Sequence, residues 1–94
     1  MAIQSFRCQR TESFFNGNDV SSFRKFNRVA IRKLAMLNAA NALLDLRIPP
    51  GNQLEALSGD RAGQYSVRIN AKYRLCFGWT PAGPVNVEIC DYHK

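Results

Sequence analysis

Three successive segments in the C-terminal half alternate apolar and polar residues with a period of two. In Gln64–Asn70, Tyr65, Val67 and Ile69 alternate with Ser66, Arg68 and Asn70. In Tyr73–Trp79, Tyr73, Leu75, Phe77 and Trp79 alternate with Arg74, Cys76 and Gly78. After the Pro81-Ala82-Gly83-Pro84 turn, Val85, Val87 and Ile89 alternate with Asn86, Glu88 and Cys90. Successive side chains on a strand point to opposite faces, so this pattern predicts a β-meander with one face packed and the other polar. Gln53–Leu57 is a shorter strand candidate, joined to the meander by the loop Ser58-Gly59-Asp60-Arg61-Ala62-Gly63.

The first half carries a different period. Phe23, Phe26, Ala30, Leu34 and Leu37 recur at steps of three or four and fall on one stripe of a helix. Asp19, Ser21 or Ser22 can cap its start. A second short helix, about 38–46, ends before Pro49-Pro50-Gly51, which cannot continue it. Residues 2–7 alternate weakly and suit a short strand. Residues 8–22 are polar, contain the turn-forming Asn16-Gly17-Asn18-Asp19, and are expected to be the least ordered stretch. The 94 residues suit one domain, 1–94. The expected fold class is α+β, with two N-terminal helices packed on a small, mostly antiparallel β-sheet.

Charge narrows the function. The net charge is +6, and nine of the thirteen cations are Arg. A guanidinium binds a phosphate through two parallel hydrogen bonds, so the balance points to nucleic acid or anionic lipid. A basic protein whose charge only maintains solubility is the plainer reading, and composition leaves both open. Arg24, Arg28 and Arg32 are spaced four apart on one helical face, with Lys25 and Lys33 beside them. That ridge is either a solvated face or a phosphate-facing one. No apolar run approaches the roughly 20 residues that cross a bilayer, so no membrane partner is expected. Cys8, Cys76 and Cys90 form no CxxC pair, and the chain has one His. A Cys/His zinc site is therefore not expected, and the cysteines read as reduced thiols of a cytoplasmic protein.

Alternation also sorts the polar side chains. Arg68 and Arg74 project from the outward face of neighbouring strands, with Glu88 and Cys90, and Tyr92 joins them if the last strand persists. Asp91 and His93 lie where that strand frays. Such a face suits a phosphodiester. Cleavage of RNA by its own 2′-hydroxyl needs a base for the 2′-OH proton, an acid for the leaving 5′-oxygen and a cation for the charge on phosphate. His, Tyr and Asp can serve the first two roles and Arg the third. Each residue also has a plain reading: Arg68 and Arg74 as cross-strand ion-pair partners of Glu88 or Asp60, Tyr92 as an edge aromatic, His93 as an exposed terminal side chain.

The run from Pro49 to Asn70, PPGNQLEALSGDRAGQYSVRIN, resembles the central signature of HigB-type toxins, the plasmid maintenance killer proteins of the RelE superfamily. Tyr73-Arg74-Leu75-Cys76-Phe77 is similar to their next strand, and Val87-Glu88-Ile89-Cys90-Asp91-Tyr92-His93 to their C-terminal ending. Ile3-Gln4-Ser5-Phe6 fits their opening. The resemblance covers nearly the whole chain. It implies a RelE-like fold and a metal-independent, cofactor-free endoribonuclease that cuts messenger RNA in the ribosomal A site and inhibits translation. It also implies a helix-turn-helix antitoxin partner, of the HigA type. Asp91, Tyr92 and His93 match the family's catalytic ending, and Arg68 and Arg74 its sheet arginines. Arg24, Arg28, Arg32 and Lys72 are the expected contacts to RNA and ribosome. Where some members carry a His and a Lys, this chain has Glu55 and Ser58. Glu55 is the candidate substitute base. The alternative is an inhibitor that binds ribosome or RNA without cutting.

Overall fold

The computed structural model describes residues 2–91. Four strands form one antiparallel sheet in the order β1-β2-β3-β4. They are β1 (Glu55–Ala56), β2 (Gln64–Arg68), β3 (Tyr73–Thr80) and β4 (Gly83–Asp91). The sequence places Asn70 at the β2–β3 turn. There its Oδ1 accepts from the backbone N–H groups of Lys72 (2.9 Å) and Tyr73 (2.7 Å), closing the turn with a side chain.

Two helices precede the sheet. α1 (Gln9–Phe15) replaces the disorder expected of residues 8–22. Its polar composition hides two anchors. Phe14 is buried against the Phe23 ring, edge-on at 5.3 Å. The fully buried Thr11 Oγ1 accepts from the Ile89 backbone N–H at 3.0 Å. α2 (Asn27–Ala39) follows a 3-10 segment, Ser21–Phe26. The expected stripe holds: Phe23, Phe26, Ala30, Leu34 and Leu37 are all buried in the core. The expected cap does not hold. Val20 occupies the cap position without a side-chain bond, because Asp19 is drawn to Arg24, whose Nε donates to its Oδ1 at 3.0 Å.

The second helix expected over 38–46 is a 3-10 turn, Leu43–Arg47, and α2 runs on to Ala39. Asp45 closes that turn by accepting from the Asn41 and Ala42 backbone N–H groups at 3.0 and 3.1 Å. A short 3-10 turn, Pro50–Asn52, follows. Asn52 is fully buried; its Nδ2 donates to the Leu46 and Ile48 carbonyls at 3.0 and 3.3 Å. Its Oδ1 accepts from Lys33 Nζ. Lys33 is therefore buried, and is not a member of an exposed ridge.

Residues 3–7 run parallel to the outer edge of β4. Gln4 N–H donates to Pro84 O (2.8 Å), Val87 N–H to Ser5 O (3.1 Å) and Arg7 N–H to Val87 O (3.0 Å). A single bridge, Phe6 with Val87, marks the pairing, so the strand expected over 2–7 is an extended edge segment. With α1 beyond it, this segment covers the exposed hydrogen-bonding groups of an edge strand.

One break in alternation corrects the sequence reading. The β3–β4 register shifts between Cys76 and Gly78, and Asn86 takes a left-handed φ of 53°. That extra residue is a β-bulge, and Asn tolerates the conformation better than most side chains. Ser5 Oγ accepts from its backbone N–H at 2.9 Å. The bulge inverts parity, so Val85 pairs with Gly78 on the face away from the helices, while Val87 and Ile89 stay in the core.

Candidate active face

The face of the sheet opposite α2 is assembled by register. Glu55 stands opposite Ser66, Ser66 opposite Cys76, and Cys76 opposite Glu88. One step along, Arg68 stands opposite Arg74, and Arg74 opposite Cys90. The structure thus brings Arg68, Arg74 and Glu55 onto one face. Asp91 follows Cys90 on β4 and stands opposite Tyr73, on the other face.

Two arginines directly opposite one another repel, and the site resolves this by holding one of them in place. Arg74 is only 6% exposed, where alternation placed it outward. Its Nε donates to Ser66 Oγ at 2.7 Å and its Nη2 to the Gln53 carbonyl at 2.5 Å. Gln53 reaches it from a left-handed turn, φ 46°. The Glu55 carboxylate lies 3.9 Å from Arg74 Nη2 and is itself half exposed. Arg68 is half-buried. The result is one oriented guanidinium at the floor, a second nearer the rim, and a carboxylate beside them.

A second cluster lies further along β4. Glu88 accepts from Arg61 Nη1 at 3.0 Å, and Arg7 Nε is 3.5 Å from the same oxygen. The Arg61 guanidinium is held by Gln64 Oε1 as well (3.1 Å); burial pulls its pKa down, but the hydrogen bond to Glu88 and the charges of Cys90, Glu88 and Cys76 leave it raised. The plain ion-pair reading therefore applies to Glu88, but its partners are Arg61 and Arg7, not Arg68 or Arg74.

Asp91 pairs in register with Tyr73, and its Oδ2 is 3.9 Å from Lys72 Nζ. Lys72 sits 5.5 Å over the Tyr73 ring. It stands on the rim of a cleft of about 710 Å³ between the Ser21–Phe26 segment and the β2–β3 turn, with Lys25 on the opposite rim. Tyr92 and His93 lie outside the described residues.

Arg24, Arg28 and Arg32 are exposed on the helical side, across the sheet from Arg68 and Arg74. Arg24 belongs to the 3-10 segment rather than to α2, and Asp19 holds its pKa up and is itself held down by it. Among the described residues no group of three or more His, Cys, Asp or Glu is placed to hold a metal ion. No helix among them is long and apolar enough to cross a membrane. Sequence reasoning missed Ser66 and the Gln53 carbonyl, the two groups that orient Arg74. Hairpin register was the signal available for Ser66; a carbonyl from a left-handed turn leaves none.

Comparison with known proteins agrees with this architecture. The family model for HigB-like toxins, described as the RelE-like toxin of the type II toxin-antitoxin system HigB, matches residues 4–93. Toxin HigB-1 of Vibrio cholerae is 49% identical over 63 residues, which cover 67% of this chain and 65% of that protein, just under two thirds of its length. The fold is similar to the YoeB–YefM complex from Staphylococcus aureus, with a TM-score of 0.57 at 18% identity over 100% of both chains. It is likewise similar to the YoeB/ParE toxin from Agrobacterium tumefaciens, with a TM-score of 0.56 at 19% identity over 100% of both chains. At such identities the likeness is one of fold: helices packed on a four-stranded antiparallel sheet.

Proposed function

The chain belongs to the HigB-like family of RelE-type toxins of type II toxin-antitoxin systems, and from that premise we propose that it is a ribosome-dependent endoribonuclease that cuts messenger RNA and arrests translation. The observation that carries this reading is the pairing of Arg68 with Arg74 beside Glu55 on one face of the sheet.

In the proposed reaction the 2′-hydroxyl oxygen attacks the adjacent phosphorus and the bond to the 5′-oxygen breaks. Arg74, held by Ser66 and Gln53, and Arg68 stabilise the negative charge that builds on the phosphate oxygens. Because Arg74 is fixed before substrate arrives, little reorganisation is needed in the transition state. Glu55 takes the 2′-OH proton or shares that role with His93, which Asp91 orients. His93 or Tyr92 returns a proton to the leaving 5′-oxygen, and Tyr92 stacks on a base. The arginines supply the positive charge, so the scheme calls for no metal ion. Lys72, Arg28 and Arg32 contact RNA backbone, with Arg24 alongside. The expected partners are a helix-turn-helix antitoxin of the HigA type, the ribosome and messenger RNA, all in the cytoplasm.

One observation favours a second reading, a ribosome-binding inhibitor that does not cut. Arg74 is largely buried, which limits its reach to a phosphate. Induced expression followed by mapping of messenger RNA 5′ ends separates the two. Codon-positioned cuts are expected from the wild type. Arg68→Ala should reduce them about 100-fold, as loss of one transition-state donor does, with an unchanged thermal midpoint. Growth arrest with intact messenger RNA would establish the non-cutting inhibitor instead.

A further inference from the structure

The nuclease scheme leaves two thiols of the same sheet face unused. Cys76 pairs in register with Glu88 and Cys90 with Arg74, so the two cysteines are diagonal neighbours on β3 and β4. Their sulfurs lie 2.6 Å apart. They differ in access: Cys76 is fully buried, while Cys90 is half-buried and lines a cleft of about 340 Å³ beside Arg61 and Asp91. Both are free thiols. An accessible thiol with a buried one in contact behind it is the arrangement needed for an attacking and a resolving cysteine.

We propose that Cys76 and Cys90 form a dithiol that closes to an intramolecular disulfide by exchange with a small disulfide of the glutathione class, and reopens on reduction. In the first step the Cys90 thiolate attacks one sulfur of the small disulfide. That S–S bond breaks, one small thiol leaves, and a mixed disulfide remains on Cys90. In the second step the Cys76 thiol gives up its proton and its sulfur attacks Cys90 Sγ. The second small thiol departs. Two protein thiols are oxidised to one disulfide, and one small disulfide is reduced to two thiols.

The surroundings suit this order. The hydrogen bond from Cys76 holds the Cys90 thiol below its ordinary range; burial opposes it, Arg61 and Arg74 reinforce it, and the Glu88 carboxylate works against them. Cys76 is pushed up, by the hydrogen bond to Cys90 and by burial, which keeps it protonated until the mixed disulfide forms. Thiolate character and access select the attacking sulfur. Cys8 lines the same cleft and is the rival partner for Cys90. The crosslink would tie β3 to the strand that ends at Asp91. The inference stands on the geometry of the two sulfurs and does not depend on the nuclease reading.

The test uses the reduced full chain, exposed to excess oxidised glutathione, quenched in acid, alkylated and mapped by mass spectrometry. The expected product has lost two hydrogens, carries a Cys76–Cys90 link, is alkylated on Cys8 alone, and returns to three free thiols with dithiothreitol. Cys76→Ala should instead retain one glutathione on Cys90. A wild type that keeps glutathione on Cys90, links Cys8 to Cys90 or stays fully reduced overturns the proposal. The wild-type map decides by itself, so a folding defect in Cys76→Ala leaves the test intact.

Discussion

Arg74 and Lys33 are both basic, both buried, and solved differently by the fold. Arg74 meets its partners with a planar fork: Nε donates to Ser66 Oγ and Nη2 to the Gln53 carbonyl, with the Glu55 carboxylate 3.9 Å from Nη2. Lys33 meets a neutral partner, Asn52 Oδ1, and its pKa is lowered, first by burial and then by Arg32. The native state therefore disfavours protonated Lys33, and the unfolded chain binds that proton more tightly. Stability from this residue rises with pH between its depressed native value and the ordinary 10.5. Lys33→Met has no such titration. Urea unfolding of the two proteins at pH 7 and at a pH near 10 should show their difference moving in favour of the wild type. A difference independent of pH would contradict the burial argument.

At the scale of elements, α1 is the instructive case. Its seven residues have no amphipathic stripe long enough to announce a helix, and a helix this short is marginal in isolation. Its stability comes from docking. Phe14 enters the core and Thr11 supplies the acceptor for the Ile89 N–H, which the edge segment 3–7 does not reach. Thr11→Val keeps the volume and removes the acceptor. A buried N–H left without a partner costs about 1–3 kcal/mol. The thermal midpoint should fall by roughly 4–8 °C per kcal/mol in a domain of this size. Hydrogen exchange at the Ile89 amide should accelerate together with that fall. An unchanged midpoint would mean that the Thr11–Ile89 bond contributes nothing to the docking of α1.

For the whole molecule, the sheet separates two basic surfaces. Arg68 and Arg74 lie on one side, and Arg28 and Arg32 on the solvent side of α2. If the helical surface holds ribosomal RNA while the sheet face works on messenger RNA, the two roles can be separated by mutation. Replacing Arg28 and Arg32 together by Glu should weaken ribosome co-sedimentation and flatten its salt dependence by roughly 0.7–0.9 in log–log slope per lost phosphate contact. The thermal midpoint should hold, since both side chains are exposed. A salt slope equal to that of the wild type would remove these arginines from the interface.

Part of the fold follows from local periodicity alone. Period-two alternation carried β2, β3 and most of β4, and a three-to-four spacing carried the buried stripe from Phe23 to Leu37. Because register follows from that alternation, it also placed Arg68 and Arg74 on one face. Tertiary structure decided what depends on contacts distant in sequence. The bulge at Asn86 turned Val85 to the other face, and Ser5, 81 residues away, satisfies its N–H. The burial of Arg74 required a carbonyl from Gln53, 21 residues earlier. The helix α1 required Ile89, and the burial of Lys33 required Asn52. A periodic pattern reports which way a side chain points relative to its own backbone. It carries no record of what another part of the chain will bring to meet it.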